Sequence, residues 1–137
     1  MSDELYQKEL LRLAAEATGA GRLAGAAASA TVHNPLCGDR VTMDVRVEHG
    51  RLDAVGYEVK ACLLCQAAAS IVGRSAPGKS LGDIAATAQA VEAFIKFGTE
   101  LPPQSWPGLD RFAPVRPHKS RHRCVLLPFE ALLAALG

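Results

Sequence analysis

The alternation of apolar and polar residues is most regular in the middle of the chain, where it predicts an antiparallel sheet. In VTMDVRVE one face carries Val41, Met43, Val45 and Val47, and the other carries Thr42, Asp44, Arg46 and Glu48. Such alternation is typical of a strand buried on one side only. His49-Gly50 predicts a tight turn, after which the segment 52–60 returns as a second strand with Val55, Tyr57 and Val59 on one face. ASATVHN predicts a third strand.

Spacings of three and four between apolar residues predict helices on either side of these strands. A first helix, capped by Ser2 and ended by Gly19 and Gly21, would carry Tyr6, Leu10, Leu13 and Ala17. A second begins at Cys62 and continues through CQAAASIV. The third would carry Leu81, Ile84, Ala88, Val91 and Ile95, and PFEALLAALG predicts a short final helix with Phe129, Leu132, Leu133 and Leu136 as its stripe.

Together these elements predict an α+β protein, a small antiparallel sheet with helices packed on it. Residues 1–137 are expected to form one domain, because no repeat or linker divides them. The segment 98–117 contains five of the eight prolines and predicts a long ordered loop.

Composition narrows the function. Apolar residues make up 49% and charged residues 21% of the chain, and the net charge is +1, so nothing favours nucleic acid or a membrane as a partner. No apolar run is long enough to cross a bilayer, and MSDELYQKEL is polar and acidic, unlike a secretory signal. A cytoplasmic location is therefore expected, where four cysteines indicate metal binding or catalysis rather than disulfides.

The segment GRSAPGKS, residues 73–80, matches the pattern of a nucleotide-binding phosphate loop. Such a loop follows a strand, whereas the preceding residues here predict a helix, and Pro77 removes one backbone N–H from the expected phosphate cradle. A helix junction explains the segment better: Gly73 ends one helix, Pro77-Gly78 turns the chain, and Ser80 caps the next. No nucleotide is expected.

Three of the four cysteines fall at predicted element boundaries. Cys37 lies in the turn segment NPLCGDR, Cys62 lies where a strand becomes a helix, and Cys124 follows the basic segment RHR. Asp39, two residues after Cys37, adds a carboxylate oxygen. Three thiolates and an oxygen suit Zn²⁺ or an iron–sulfur cluster, with the carboxylate as the most exchangeable ligand.

Other interpretations of these residues stay open. Cys65, one helical turn after Cys62, is most simply a small buried apolar residue, but it could be a spare ligand or a resolving thiol. A structural zinc site made by all four cysteines is possible, as is a thioredoxin-like redox pair of Cys62 and Cys65. His122 is a weaker candidate for an alternative or supporting ligand.

The motifs resemble the U-type iron–sulfur cluster assembly proteins, the IscU/SufU/NifU N-terminal family. The resemblance extends along nearly the whole chain. It is carried by NPLCGDRV, by a cysteine before AAASIVG and GKSLGDI, and by RCVLLPFEAL. It implies a three-stranded antiparallel sheet with helices on one face. It also places the metal or cluster ligands at Cys37, Asp39, Cys62 and Cys124.

The resemblance further implies a scaffold or sulfur carrier rather than a true enzyme. Its partners would be a cysteine desulfurase and apo iron–sulfur recipient proteins, and its cargo sulfur and a transient [2Fe–2S] cluster. Cys37 is the preferred candidate to receive the persulfide. The alternatives are a zinc-dependent sulfur carrier for the same desulfurase and, from another class, a structural zinc protein.

Departures from the family pattern favour one of its branches. Ala61 replaces the glycine usual before the second cysteine, and Arg123 replaces the histidine that precedes the third cysteine in the scaffold branch. LPPQS, residues 101–105, does not reproduce the chaperone-recognition segment. With the long loop before Cys124, the chain is most similar to the SufU-like branch, in which the site commonly holds zinc.

Overall fold

The structure is a computed structural model that describes residues 8–35 and 38–137. Its centre is an antiparallel sheet of three strands in the order β1-β2-β3: Ala28–Asn34, Asp39–Glu48 and Arg51–Lys60. The predicted sheet is therefore confirmed. His49 and Gly50 both have positive φ, 54° and 74°, as expected of the turn that joins two twisted strands.

The described residues also form four α-helices: α1 Lys8–Glu16, α2 Leu63–Ser75, α3 Leu81–Phe97 and α4 His122–Leu136. Helix α4 contacts β1 and β2, and α2 contacts β3, α1 and α4. The apolar face of β2, with Val41, Met43 and Val45, is buried in the core together with the inner faces of α2 and α4. The predicted α+β class, with helices packed on the sheet, is confirmed.

The helix ends differ from the predictions in three places. Ala17 lies beyond α1, at φ 46°, rather than on its apolar face, and the predicted residues 2–7 of this helix lie outside the described residues. The interpretation of Gly73 as a helix end is wrong, because α2 continues to Ser75. The final helix begins at His122, not at Pro128, which lies inside it.

The glycine at position 73 is explained by a close crossing of two backbones. A Cβ atom there would lie 1.8 Å from the carbonyl oxygen of Thr18, far inside van der Waals contact. The backbone N–H of Thr18 also donates to Ser70 Oγ at 3.3 Å, one turn earlier on α2. Only a residue without a side chain lets the segment after α1 pack on α2 this closely.

The junction between α2 and α3 has the form predicted for the segment 73–80 in all but the helix end. Pro77 and Gly78 form the turn, and Ser80 Oγ accepts a hydrogen bond from the N–H of Asp83 at 3.1 Å. The element before this turn is a helix and not the strand that a phosphate loop follows, in agreement with the prediction that residues 73–80 form a helix junction.

The predicted long loop contains a 3₁₀ helix, Leu109–Val115. Leu109, Phe112 and Val115 are buried, and their spacing of three places them on one side of a helix with three residues per turn. The loop is therefore anchored to the core rather than lying over it.

The face of β2 predicted to meet solvent is partly covered. Asp44 is 1% exposed, because the segment before β1 lies across it. Its carboxylate accepts hydrogen bonds from Arg22 Nε at 2.7 Å, from the backbone N–H of Leu23 at 2.9 Å and from the hydroxyl of Ser29. These bonds hold the pKa of Asp44 well below its usual range, with the Arg22 contact as the largest cause.

Candidate metal centre

Three side chains that are distant in sequence converge at one end of the sheet. Asp39, Cys62 and Cys124 each offer one ligand atom, and these atoms all lie within 4.8 Å of one another. Asp39 and Cys124 are 85 positions apart in the chain, and the Cys124 thiol lies 3.8 Å from Asp39 Oδ2. The site therefore exists only when the fold has formed.

The strand register explains why these residues meet. Arg40 pairs with Lys60, so Asp39 at the start of β2 lies opposite the residues that follow β3, where Cys62 begins α2. Asp39 and Val41 share the strand face that points into the core, where α4 packs. The first turn of α4 brings Cys124 to the same point. Sheet pairing thus brings Asp39 close to Cys62, and helix packing adds Cys124.

Cys62 occupies the N-cap position of α2, with φ −68° and ψ 171°. Its sulfur interacts with the Cys124 thiol and lies near the backbone N–H groups of Cys65 and Leu64, although its side chain makes no capping hydrogen bond. These surroundings, the Cys124 thiol first, lower the pKa of the Cys62 thiol to about 6, against the opposing effects of burial and of the Asp39 carboxylate. They favour the thiolate, the form that binds metals and attacks sulfur.

The site opens toward solvent on one side. Cys124 is 3% exposed and Asp39 9%, whereas Cys62 is only partly buried. A partner or a ligand can therefore reach the sulfur of Cys62 first, while the other two donors lie behind it.

The fourth predicted ligand, Cys37, lies outside the described residues. The described residues on either side of it are close to the site, because Asn34 pairs with Asp39 at the sheet edge. The N–H of Gly38 also donates to the carbonyl of Asn34 at 2.9 Å, and Gly38 has a φ of 75°. Whether Cys37 binds a metal thus stays a prediction, as do the ligand roles of the other three residues.

The weaker candidates are not part of this cluster. His122 lies in the first turn of α4, but its Nε2 is 2.7 Å from the carbonyl oxygen of Arg116. Within the described part of the chain, the cluster of metal-binding side chains contains only Asp39, Cys62 and Cys124. Cys65 is fully buried among apolar residues of the core, in agreement with its interpretation as a small buried residue.

Sequence reasoning missed the backbone contribution of Leu64. Its N–H and that of Cys65 lower the pKa of the Cys62 thiol, as expected at the start of a helix, where the first N–H groups have no partner within the helix. The signal for this contribution was the position of Cys62 directly before a helical pattern.

The donor set fits a thiophilic metal. Two thiols and a carboxylate are ligands that Zn²⁺ and iron–sulfur centres accept.

In the parts of the chain that the structure describes, no helix has the length and apolar character needed to cross a membrane.

Comparison with known proteins assigns the family. The NifU-like N terminal domain family matches residues 5–110, about three quarters of the chain. The crystal structure of a nitrogen-fixing NifU-like protein (N-terminal) from Brucella abortus is 34% identical, with a TM-score of 0.93 over 98% of this chain and 93% of that one.

Two further crystal structures share the fold at lower identity. One, titled a putative iron–sulfur cluster assembly scaffold protein for the SUF system from Fervidobacterium islandicum AW-1, is 22% identical with a TM-score of 0.91, and each chain is covered completely. The other, a hypothetical protein, is 24% identical with a TM-score of 0.86 over 98% of both chains. No curated protein matches the chain significantly. The chain belongs to the NifU-like N-terminal domain family, the U-type iron–sulfur cluster assembly proteins that its motifs resemble.

Proposed function

We propose that this protein receives sulfur from a cysteine desulfurase and uses it to assemble or relay a [2Fe–2S] cluster. The observation that carries the proposal is the convergence of Asp39, Cys62 and Cys124 within 4.8 Å, in a chain of the NifU-like N-terminal domain family. Cys37 completes the proposed ligand set.

The burial of these residues suggests different roles for them. Asp39 and Cys124 are buried and would fix the position of the cargo, whereas Cys62 is reachable from solvent. The carboxylate of Asp39 is the hardest donor and therefore the weakest partner for a soft metal. Its release would open the site without breaking a metal–sulfur bond.

In the sulfur-transfer step, the thiolate of Cys37 attacks the terminal sulfur of the desulfurase persulfide. A new sulfur–sulfur bond forms on Cys37, the old one breaks, and the desulfurase cysteine leaves as a thiolate. Since a thiolate bound to metal is a poorer nucleophile, Cys37 would become available when the metal is released or when another ligand replaces Cys37 on it.

A zinc-dependent sulfur carrier for the same desulfurase is the second candidate. The donor set of two thiols and a carboxylate supports it, because zinc sites accept both ligand types. In that case the sulfur would leave as a persulfide and no cluster would be built on the protein.

A purely structural zinc site fits less well. The apolar core extends through the sheet and the helices, and the site lies at its edge, with Cys124 in the core and Cys62 only partly buried. Chelation is therefore expected to remove metal while the far-UV circular dichroism spectrum stays unchanged. Unfolding of the chain on chelation would support the structural role instead.

The deciding experiment is metal and acid-labile sulfide analysis of protein prepared without oxygen, with and without a desulfurase and cysteine. Iron with sulfide indicates a scaffold, and zinc with a protein-bound persulfide indicates a carrier. Asp39→Ala is compared with Asp53→Ala, a carboxylate on the exposed side of β3 that pairs with Arg46. If neither metal nor sulfur is retained by the wild-type protein, the proposed function is wrong.

A further inference from the structure

We propose that Cys62 and Cys65 act as a dithiol that reduces sulfane sulfur bound to Cys62 to hydrosulfide. The inference rests on the proposed function and adds to it the source of the two electrons. It assigns a chemical role to Cys65, which neither the proposed ligand set nor the persulfide acceptor uses.

The start of α2 holds the two cysteines together. Cys62 is the N-cap and Cys65 the third residue of the helix, and the carbonyl of Cys62 accepts the N–H of Gln66 at 3.1 Å, so the two cysteines lie in one helical turn. Residues three apart in such a turn have Cα atoms about 5 Å apart. Disulfides join Cα atoms about 4.4–6.8 Å apart, so the backbone at this point allows the bond once the two side chains rotate toward each other.

The two sulfurs differ in access. Cys62 is partly exposed and can receive sulfur from a partner, either directly or from Cys37. Cys65 is 0% exposed, so an external persulfide or thiol cannot reach it. Sulfur that reaches Cys65 must therefore already be inside the protein, and sulfur on Cys62, one helical turn away, meets this condition, as expected for a resolving thiol.

The chemistry of cluster assembly creates a need for such a group. A persulfide delivers sulfur in the zero oxidation state, whereas a cluster contains sulfide, so each sulfur must gain two electrons. Two thiols that form a disulfide give up two electrons. The thiols of Cys62 and Cys65 together therefore supply the two electrons that one sulfur atom needs.

The step balances as follows. The sulfur of Cys65 attacks the Cys62 sulfur that bears the sulfane sulfur, forming the bond between Cys62 and Cys65. The bond to the sulfane sulfur breaks, and that atom leaves with the electron pair as hydrosulfide. The thiol proton of Cys65 passes to the leaving group or to solvent. An external dithiol reductant then restores the two thiols by thiol–disulfide exchange.

The test uses the full chain, zinc-free and prepared without oxygen, in a single turnover. Sulfur is loaded either by a desulfurase with one equivalent of cysteine or by inorganic polysulfide, which is then removed by gel filtration. Released sulfide is measured with time, and the cysteines are mapped by mass spectrometry after alkylation. Cys65→Ala is the test variant, since it keeps the backbone N–H that contacts Cys62.

Wild-type protein is expected to release one sulfide per disulfide formed between Cys62 and Cys65. Because proximity gives large effective concentrations, Cys65→Ala should release sulfide at least about tenfold more slowly and keep a persulfide on Cys62. When zinc is added back in a separate sample, the variant should bind as much zinc as the wild-type protein, which would show that the site is intact.

Three results would overturn the inference: a persulfide on wild-type Cys62 that persists, a Cys65→Ala variant that releases sulfide at the wild-type rate, or polysulfide that fails to load Cys62. A different result would separate the two proposals. If the desulfurase loads no sulfur, but polysulfide still leads to sulfide and to the disulfide between Cys62 and Cys65, the proposed function is wrong and the dithiol reaction stands. If the Cys65→Ala variant does not fold, the sulfide and disulfide yields of the wild-type protein still test the inference.

Discussion

Replacing Asp44 should destabilise the protein strongly without affecting the metal centre. Its carboxylate is 1% exposed and accepts bonds from both Arg22 and Leu23, which fasten the segment before β1 to the sheet. Asp39 lies on the opposite face of β2, in register with the core residues. The network and the metal centre are therefore separated by the sheet.

The magnitude follows from the bonds that are lost. A hydrogen bond to a charged group contributes about 1.5–3 kcal/mol, and a buried N–H left without a partner costs about 1–3 kcal/mol. The Arg22 side chain is 56% exposed and recovers water, so most of the loss comes from the N–H of Leu23 and from Ser29. We expect Asp44→Ala to cost about 3 kcal/mol of unfolding free energy, or roughly 10 °C in Tm for a chain of this size.

The assay is urea and thermal denaturation followed by circular dichroism, with Asp53→Ala as the matched control. Asp53 pairs with Arg46 on the sheet surface, and both side chains are more than a third exposed. Exposed ion pairs contribute little, so this variant should stay within about 0.5 kcal/mol of the wild-type protein. Equal stabilities for the two variants would refute the reasoning.

The same network predicts a pH dependence. The pKa of Asp44 is lowered in the folded protein, so the ionised carboxylate stabilises the fold above the unfolded pKa of about 4. This stabilisation is lost as pH falls through the folded value. Asp44→Asn should therefore flatten the loss of stability below about pH 4, and an unchanged slope would contradict the assignment.

Three further predictions concern the metal centre and the helix crossing. In metal-free protein, the rate of Cys62 alkylation by iodoacetamide should reach half its maximum near pH 6. Cys124→Ala should raise that midpoint, because the interaction with Cys124 is the largest cause of the lowered pKa. A wild-type midpoint near about 8.5, the ordinary thiol value, would contradict this. Gly73→Ala should lower the free energy of unfolding by more than about 3 kcal/mol or prevent folding. The control is Gly82→Ala in α3, where a Cβ atom meets nothing within 4 Å, and it should leave this free energy unchanged or raise it by up to about 1 kcal/mol. Asp39→Ala should reduce the zinc affinity, measured by competition with a chelator, by roughly tenfold or more. The Tm of the metal-free protein should change little. An unchanged zinc affinity would show that Asp39 is not a ligand.

The sheet was predictable because its strongest signal is local. Val41, Met43 and Val45 alternate with polar residues, and the His49-Gly50 turn fixes the pairing of the two longer strands. The burial of Asp44 was not predictable, because it depends on a segment that crosses the sheet from elsewhere in the chain. Alternation reports which face of a strand is apolar, not what later covers the polar one.

The candidate site shows the same limit. The element boundaries predict Cys62 and Cys124 as neighbours, but the apolar stripe of PFEALLAALG predicts a final helix that starts only at Pro128, a residue type common in the first turn of a helix. The helix begins six residues earlier, at His122, because a continuous apolar run from Cys124 to Phe129 packs on the core. Tertiary burial there outweighs the local preference of proline.

The separation of 85 positions between Asp39 and Cys124 has a consequence for how the protein is loaded in a cell. In the proposed function, an unfolded or half-synthesised chain would hold these donors too far apart to bind a metal or cluster together, so binding would follow folding. Binding would then stabilise the folded chain by mass action. Occupancy of the proposed centre would thus distinguish folded copies of the protein from misfolded ones.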